Sequence, residues 1–171
     1  MNTVQKEITL SPKRRGFHLV TREIVEHADC VAVIAVDADD NILLVKQYRQ
    51  APGKELLEIP AGGIDAGETP EQAVIREMQE ETGFKPGRVA RLSGFYSTPG
   101  FSNEFLHLYL AIDLAPGRLH AEDTPGIEVV KVPAPQAAAL VASGKIEDAK
   151  TIAGLLYYLE YRKKHQEVIS L

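Results

Sequence analysis

The sequence predicts an α/β protein in which a mixed β-sheet lies between α-helices. One supporting observation is the order of patterns along the chain, which runs from strands through one helix to further strands and then to helices. That order suits a sheet covered by helices. The other is size, because 171 residues, 44% of them hydrophobic, are enough for one domain with a sizeable core. No internal repeat, low-complexity segment or linker divides the sequence.

Strand-like patterns fill the first part of the chain. Residues 4–10 and 17–27 alternate in a strand-like way, and residues 11–16 form a basic turn between them. The continuous apolar run from Val31 to Val36 is typical of a buried strand. After a polar turn, Ile42 to Tyr48 returns as a second strand, so we expect these two strands to form a hairpin.

A capped helix is predicted after a short strand, Leu56 to Ile59, and a glycine-rich loop. Thr69 is suited to the N-cap, Pro70 to the first helical position, and Gln72 can close a capping box with Thr69. Gly83 fits the left-handed position that ends many helices. We therefore expect one helix between Thr69 and Gly83.

Three carboxylates share one face of this predicted helix. Glu77, Glu80 and Glu81 have the spacing i, i+3 and i+4, which places them on one arc. Like charges at this spacing repel, whereas Mg²⁺ and Mn²⁺ prefer oxygen ligands of this kind. The face is therefore either a solvated acidic surface or a divalent-metal site. The buried side of the helix is predicted to consist of Val74, Ile75 and Met78.

The remainder of the chain continues the alternation of strands and loops. Further strands are predicted at residues 89–96, 105–114 and 127–132, with loops at 97–104 and 115–126. Two helices follow, at residues 135–142 and 148–165. We expect the second to bury one face formed by Ile152, Leu155, Leu156 and Leu159.

Composition excludes several classes of function. The net charge of −5 argues against broad nonspecific nucleic-acid binding. No apolar run approaches the roughly 18–20 residues that a membrane span needs, and Lys6 and Glu7 interrupt any secretory signal. The single cysteine, Cys30, opens an apolar strand, so we expect a core residue rather than a nucleophile. It cannot form an internal disulfide, which favours a cytoplasmic protein.

The stretch from Gly62 to Phe84 resembles the Nudix box at every fixed position. The matching order is Gly62, five residues, Glu68, seven residues, Arg76-Glu77, an apolar Met78, one residue, Glu80-Glu81, one residue, Gly83 and Phe84. The resemblance implies a Nudix fold and hydrolysis of a nucleoside diphosphate linked to another group. It also implies a divalent cofactor, Mg²⁺, for which Mn²⁺ can substitute.

Features outside the box resemble the ADP-ribose pyrophosphatases within this superfamily. They are the entry to the box at Glu58–Ile64, the segments 22–27 and 47–49, and Pro99, which lies sixteen residues after Gly83. They imply hydrolysis of ADP-ribose to AMP and ribose 5-phosphate. Alternatives are another nucleoside diphosphate sugar, a dinucleoside polyphosphate or an oxidised nucleotide as substrate, or a non-catalytic ADP-ribose sensor.

The resemblance also implies a role for individual residues. Arg49 would contact the diphosphate, and Arg76 and Glu68 would brace the acidic cluster. The expected metal ligands are Glu77, Glu81, the carbonyl of Ala61 and, as an additional ligand with a part in catalysis, Glu80. The pocket for the terminal ribose would be lined by Thr98, Pro99, Gly100 and Glu104.

A homodimer is implied as well. Residues 1–30 would form an N-terminal antiparallel β-extension used in dimerisation, and residues 31–171 the Nudix domain. Arg22 and Glu23 would reach the adenosine side of the substrate bound by a partner subunit. The general base would lie on the loop before the last strand, at Glu122 or Asp123, with His120 as an alternative. No nucleic acid or membrane partner is expected.

Overall fold

A computed structural model describes residues 2–10, 18–120 and 126–166. The strands are β1 (Asn2–Leu10), β2 (His18–Glu26), β3 (Cys30–Val36), β4 (Asn41–Arg49), β5 (Lys54–Glu58), β6 (Ala61–Gly63), β7 (Phe84–Tyr96), β8 (Phe105–Pro116) and β9 (Glu128–Pro133). The helices are α1 (Pro70–Glu77), α2 (Ala137–Ala142) and α3 (Ala149–Gln166). A π-helical turn, Met78–Thr82, continues α1, and a 3₁₀ turn, Ala134–Gln136, precedes α2.

The main sheet is mixed, as the sequence predicted. Its strands follow the order β5-β4-β3-β8-β7, while β6 also pairs with β3 and β9 with β4. β3 and β8 run parallel, and the other pairs are antiparallel. β1 and β2 form a separate antiparallel hairpin. The end of β2 contacts the loop before β8, where the Val25 amide donates a hydrogen bond to the Phe101 carbonyl at 2.7 Å.

Helices cover both faces of the sheet. Every residue of β3 is buried, and its side chains alternate between two apolar clusters. Ile34 faces the cluster that contains Leu155 of α3. Val33 faces the other cluster, which contains Val74 of α1 and Met78 of the π-helical turn that follows it. Burying a side chain of this size contributes roughly 1.5–3 kcal/mol. The predicted arrangement of a sheet between helices is confirmed.

Local capping signals determined where the box helix begins and ends. The Thr69 side chain accepts a hydrogen bond from the Gln72 amide at 3.3 Å, and the Gln72 side chain accepts one from the Thr69 amide at 2.8 Å. Both bonds of the predicted capping box are therefore present. At the other end Gly83 has a φ of +78°, the left-handed conformation that glycine adopts without strain. The π-helical geometry of the last turn was not predicted.

Two local predictions were wrong. β7 begins at Phe84 instead of Val89, because it pairs with β8 along its whole length and the pairing extends through a Pro-Gly sequence that resembles a turn. On α3, Leu156 is 50% exposed, whereas Tyr158 is buried. The buried face is centred on Thr151, Leu155 and Tyr158, and Leu156 lies about 100° away from Leu155 around the helix.

Other predictions lie outside the described residues. These are the basic turn at 11–16 and both candidates for the general base, Glu122 and Asp123. Among the helices that the structure describes, none has both the length and the apolar character that crossing a bilayer demands.

Candidate active site

Arg76 lies at the centre of the acidic cluster that ends the box helix. Its guanidinium is 2.6 Å from a carboxylate oxygen of Glu77 and 3.2 Å from one of Glu80. It also donates two hydrogen bonds to Glu68, at 3.0 and 2.9 Å, and one to the Gly63 carbonyl at 2.7 Å. Charge-assisted bonds of this kind are stronger than neutral ones. Arg76 thus ties the box loop to the helix and holds two of the three carboxylates in place.

The third carboxylate, Glu81, is buried, with only 8% of the residue exposed. Burial raises the pKa of Glu81 to about 8, and the nearby charge of Glu77 adds to this effect. One oxygen of Glu81 accepts a hydrogen bond from the Ala61 amide at 3.0 Å. The N–H and C=O groups of one strand residue point to the same side, so the Ala61 carbonyl lies on the side that faces this carboxylate.

Gly62 allows the carboxylate of Glu77 to lie directly against the backbone of β6. A Cβ atom built at Gly62 would be 2.0 Å from Oε1 of Glu77 and 2.1 Å from its Cδ. Any other residue at this position would therefore displace the carboxylate. The donors gathered here are carboxylate and carbonyl oxygens, the ligands that Mg²⁺ and related hard cations prefer. The residues present fit a divalent ion of that class.

A cavity of about 590 Å³ adjoins the acidic cluster. This volume lies within the usual range for small-molecule sites. The described lining includes three residues that the sequence assigned to the site, Arg49, Ala61 and Glu104. It does not include the other predicted substrate residues: Arg22, Glu23, Thr98, Pro99 and Gly100.

A network of charges surrounds Arg49 on the cavity wall. Arg49 donates two hydrogen bonds to the buried carboxylate of Glu58, at 2.7 and 2.8 Å. Lys150 contacts the same carboxylate and also lies 3.0 Å from Asp148. Although burial alone would raise the pKa of Glu58, the hydrogen bonds from Arg49 and the charge of Lys150 lower it. The positively charged side chains of Arg49 and Lys150 are thereby held in place at the cavity wall.

Sequence reasoning missed Lys150 and the bracing role of Glu58. Lys150 occupies the first turn of α3, where the helix dipole disfavours a cation. Such a placement is a usable signal that the lysine has a partner from elsewhere in the fold. That partner, Glu58, is 92 residues away along the chain.

The loop of residues 97–104 connects the cavity with the N-terminal hairpin. Within it, the Phe101 and Ser102 amides donate to the Thr98 carbonyl, at 3.2 and 3.0 Å. Thr98, Pro99 and Gly100 are not among the residues that line the cavity, whereas Glu104 is. Arg22 and Glu23 are exposed on β2. The described chain therefore brings one residue of the predicted ribose pocket into the cavity.

The loop that leads to the candidate bases starts against the end of the box helix. The Gly117 amide donates to the Gly83 carbonyl at 3.0 Å, and the Leu119 amide to the Gln79 carbonyl at 3.2 Å. The Gln79 side chain donates to the Gly117 carbonyl at 2.6 Å. His120 is exposed at the end of the described part of this loop. Residues 117–119 are thus held against the last turn of the box helix.

Comparisons with known proteins agree with this geometry. The family model described as "NUDIX domain" matches residues 26–155. An "ADP-ribose pyrophosphatase" of Bacillus subtilis is 37% identical over 147 residues, covering 85% of this chain and 79% of that protein. A protein of the same name from Mycobacterium tuberculosis is 40% identical over 144 residues, covering 82% and 70%. A solved structure described as "Crystal structure of ADP compounds hydrolase" superposes with a TM-score of 0.85 at 21% identity, covering 95% of this chain and 88% of that one. This last likeness bears on the fold alone.

Proposed function

The chain belongs to the NUDIX domain family, and on that premise we propose that it hydrolyses the diphosphate bond of ADP-ribose to AMP and ribose 5-phosphate. The main support is that the acidic cluster and the positively charged side chains share one wall of the cavity. Ala61 and Gly62 lie against the carboxylates of Glu81 and Glu77, and both also line the cavity that contains Arg49 and Lys150. Oxygen donors for a cation thus adjoin fixed positive charges for a diphosphate.

Hydrolases of this family generally depend on a divalent metal, and we propose Mg²⁺ here, with Mn²⁺ as a substitute. Glu77, Glu81 and the Ala61 carbonyl would hold it, with Glu80 as an additional ligand. When bound, such an ion offsets the negative charge of the diphosphate and makes water more acidic. Arg76 keeps the carboxylates of Glu77 and Glu80 in position.

Arg49 and Lys150 are the residues that we assign to the diphosphate. Glu58 engages Nε and Nη2 of Arg49 and so fixes the plane of the guanidinium. The donor that we assign to a phosphate oxygen is therefore Nη1. Arginine suits this role because its planar fork can contact a carboxylate and a phosphate at the same time.

The two ends of the substrate require separate groups. We propose that Glu104 accepts hydrogen bonds from hydroxyls of the terminal ribose, because its carboxylate lines the cavity. Thr98, Pro99 and Gly100 would shape the loop that carries it. Arg22 and Glu23 would contact the adenosine side of a partner's substrate. Their exposure on β2 supports this assignment.

The overall arrangement completes the proposal. Residues 1–30 would serve as the dimerisation extension and residues 31–171 as the hydrolase domain of a cytoplasmic homodimer. Glu122 or Asp123 would remove the proton from the attacking water, a contribution of roughly 10²–10⁴-fold. This assignment is supported by the preceding residues 117–119, which lie against the box helix.

A substrate panel tests the proposal. ADP-ribose, a guanosine diphosphate sugar, a dinucleoside polyphosphate and an oxidised nucleotide would each be incubated with protein and Mg²⁺, and the products separated by chromatography and identified by mass. We expect AMP and ribose 5-phosphate, with kcat/KM highest for ADP-ribose. A higher kcat/KM for another member of the panel would contradict the assigned substrate. Tight binding of ADP-ribose without turnover, in both Mg²⁺ and Mn²⁺, would indicate a sensor instead.

A further inference from the structure

A second group of metal-ligating side chains lies beside the box loop, where Cys30 of β3 pairs with Gly63 of β6. It consists of His27, Cys30 and Glu104, and we call it the thiol cluster. None of the residues assigned to the box metal belongs to it. Cys30 is 5% exposed, and the side chains of His27 and Glu104 are each 25% exposed. Cys30 and Glu104 also line the cavity, so two of the three side chains of this largely buried cluster face it.

The spacing of the three donor atoms matches tetrahedral zinc. The Sγ of Cys30 is 3.4 Å from Oε1 of Glu104 and 3.7 Å from Nδ1 of His27, and the latter two atoms are 3.7 Å apart. Tetrahedral bonds to sulfur, nitrogen and oxygen at zinc distances give separations of about 3.3–3.6 Å between ligand atoms. The observed triangle thus needs movements of only a few tenths of an ångström to enclose an ion.

Backbone contacts hold the three side chains together. Cys30 is in β3, whose neighbour β8 begins just after Glu104, and the two strands pair at Cys30 and Leu106. The His27 amide donates to Oδ1 of Asn103, the residue before Glu104, at 2.8 Å. The Glu104 amide in turn donates to the Ser102 hydroxyl at 3.2 Å. The cluster is therefore built into the junction between β2, β3 and β8.

Without an ion, hydrogen bonds satisfy the same atoms. The thiol lies within hydrogen-bond distance of Glu104, and Nδ1 lies 2.7 Å from the Ala28 carbonyl. An ion would replace these bonds with a thiolate, a carboxylate and a neutral imidazole. The proton of the thiol and that of Nδ1 would be released to solvent or to the other ring nitrogen, Nε2. The Ala28 carbonyl, 3.7 Å from Sγ, would then be a further oxygen donor beside the ion.

We propose that His27, Cys30 and Glu104 form a second metal site, selective for Zn²⁺ or a similarly thiolate-binding divalent ion and separate from the box. Thiolate and imidazole donors favour Zn²⁺, whereas Mg²⁺ prefers an all-oxygen site. Occupation of the site would remove Glu104 from the cavity wall as a hydroxyl acceptor. If Glu104 binds the terminal ribose, as the proposed function requires, Zn²⁺ would inhibit hydrolysis by raising the KM for ADP-ribose.

Cobalt spectroscopy tests the site without reference to catalysis. Co²⁺ replaces Zn²⁺ at such sites and gives a thiolate-to-metal charge-transfer band. Because the chain has one cysteine, any such band reports Cys30. We expect a band in the wild-type protein that excess Mg²⁺ leaves unchanged and that Zn²⁺ abolishes. The band should disappear in Cys30→Ser. In His27→Gln, either the band should shift in wavelength or the apparent affinity for Co²⁺ should fall at least tenfold. Thermal melts would identify folded variants.

A Glu77→Gln/Glu81→Gln double variant is the matched control, because it removes the box ligands and leaves the thiol cluster intact. Its cobalt band should persist, because all three members of the thiol cluster remain. The proposal would be overturned by three results: no band in the wild-type protein at millimolar Co²⁺, loss of the band in the double variant, or an unchanged band in both His27→Gln and Glu104→Gln. Failure of ADP-ribose hydrolysis would leave these spectra unaffected, so the two proposals fail separately.

Discussion

Replacing Gly62 with alanine places one methyl group where the carboxylate of Glu77 lies. The added Cβ would be 2.0 Å from Oε1, 2.1 Å from Cδ and 2.5 Å from Oε2 of that side chain. Cβ atoms essentially never approach another heavy atom closer than 3.0 Å, so the carboxylate must move by at least about 1 Å. Its 2.6 Å contact with Arg76 would be lost in the same movement.

The expected cost follows from that displacement. Misplacing a catalytic group by about 1 Å can reduce the rate roughly 10²-fold, which equals about 2.7 kcal/mol of activation free energy. The fold should survive, because the displaced atoms are the far end of a side chain. We therefore expect Gly62→Ala to lower kcat/KM for ADP-ribose about a hundredfold and to require more Mg²⁺ for half-maximal activity.

Gly63→Ala is the matched control, because a Cβ at Gly63 meets nothing within 4 Å. The assay is AMP release over a range of Mg²⁺ concentrations, with thermal melts of both variants. A displaced ligand should lower kcat/KM far more than about threefold. If the two variants, both folded, had kcat/KM values within about threefold of each other, hydrolysis would not depend on the position of Glu77.

Three further variants test other parts of the structure. Arg49→Lys should raise KM for ADP-ribose about tenfold, because lysine lacks the planar fork that holds Glu58 through two nitrogens and leaves a third for a phosphate oxygen. An unchanged KM in steady-state assays would count against that role. Thr69→Ala should lower the free energy of unfolding by about 1 kcal/mol through loss of the capping box, measured by urea denaturation; no loss would show that the cap contributes nothing. Burial alone would raise the pKa of Asp37, but hydrogen bonds, the largest from Lys131, lower it to about 2 from 3.8. The resulting stability is present above pH 3.8 and lost as pH falls towards 2. Asp37→Asn should therefore be less stable than wild type at neutral pH, and the difference should shrink below about pH 4; a difference independent of pH would contradict this.

Local signals in the sequence were sufficient for the elements that build the metal platform. The apolar run from Val31 to Val36 became a fully buried strand, since only a strand covered on both faces suits such a run. Thr69 and Gly83 set both ends of the box helix because capping depends on a few neighbouring residues. These features need no knowledge of distant contacts.

Features that depend on distant contacts were not predictable in this way. The start of β7 was missed because its pairing with β8 overrides the local Pro86-Gly87 turn signal. Leu156 was placed in the core because helical periodicity alone cannot say which side of an apolar arc meets the sheet. The contact between Lys150 and Glu58 joins two segments 92 residues apart. For the same reason, the sequence placed Glu104 at the substrate without revealing its contact with Cys30.

The box carboxylates make this fold an ADP-ribose hydrolase, and the Glu81→Gln variant tests their role. Glutamine keeps the size of the buried side chain and an oxygen that can accept the Ala61 amide, but it removes the negative charge. The measurement is kcat/KM for ADP-ribose with saturating Mg²⁺ and product identification, on wild type and variant side by side. We predict AMP and ribose 5-phosphate from the wild type and a loss of at least about a hundredfold in the variant. Comparable turnover by a folded Glu81→Gln protein would show that hydrolysis does not require the charge of Glu81.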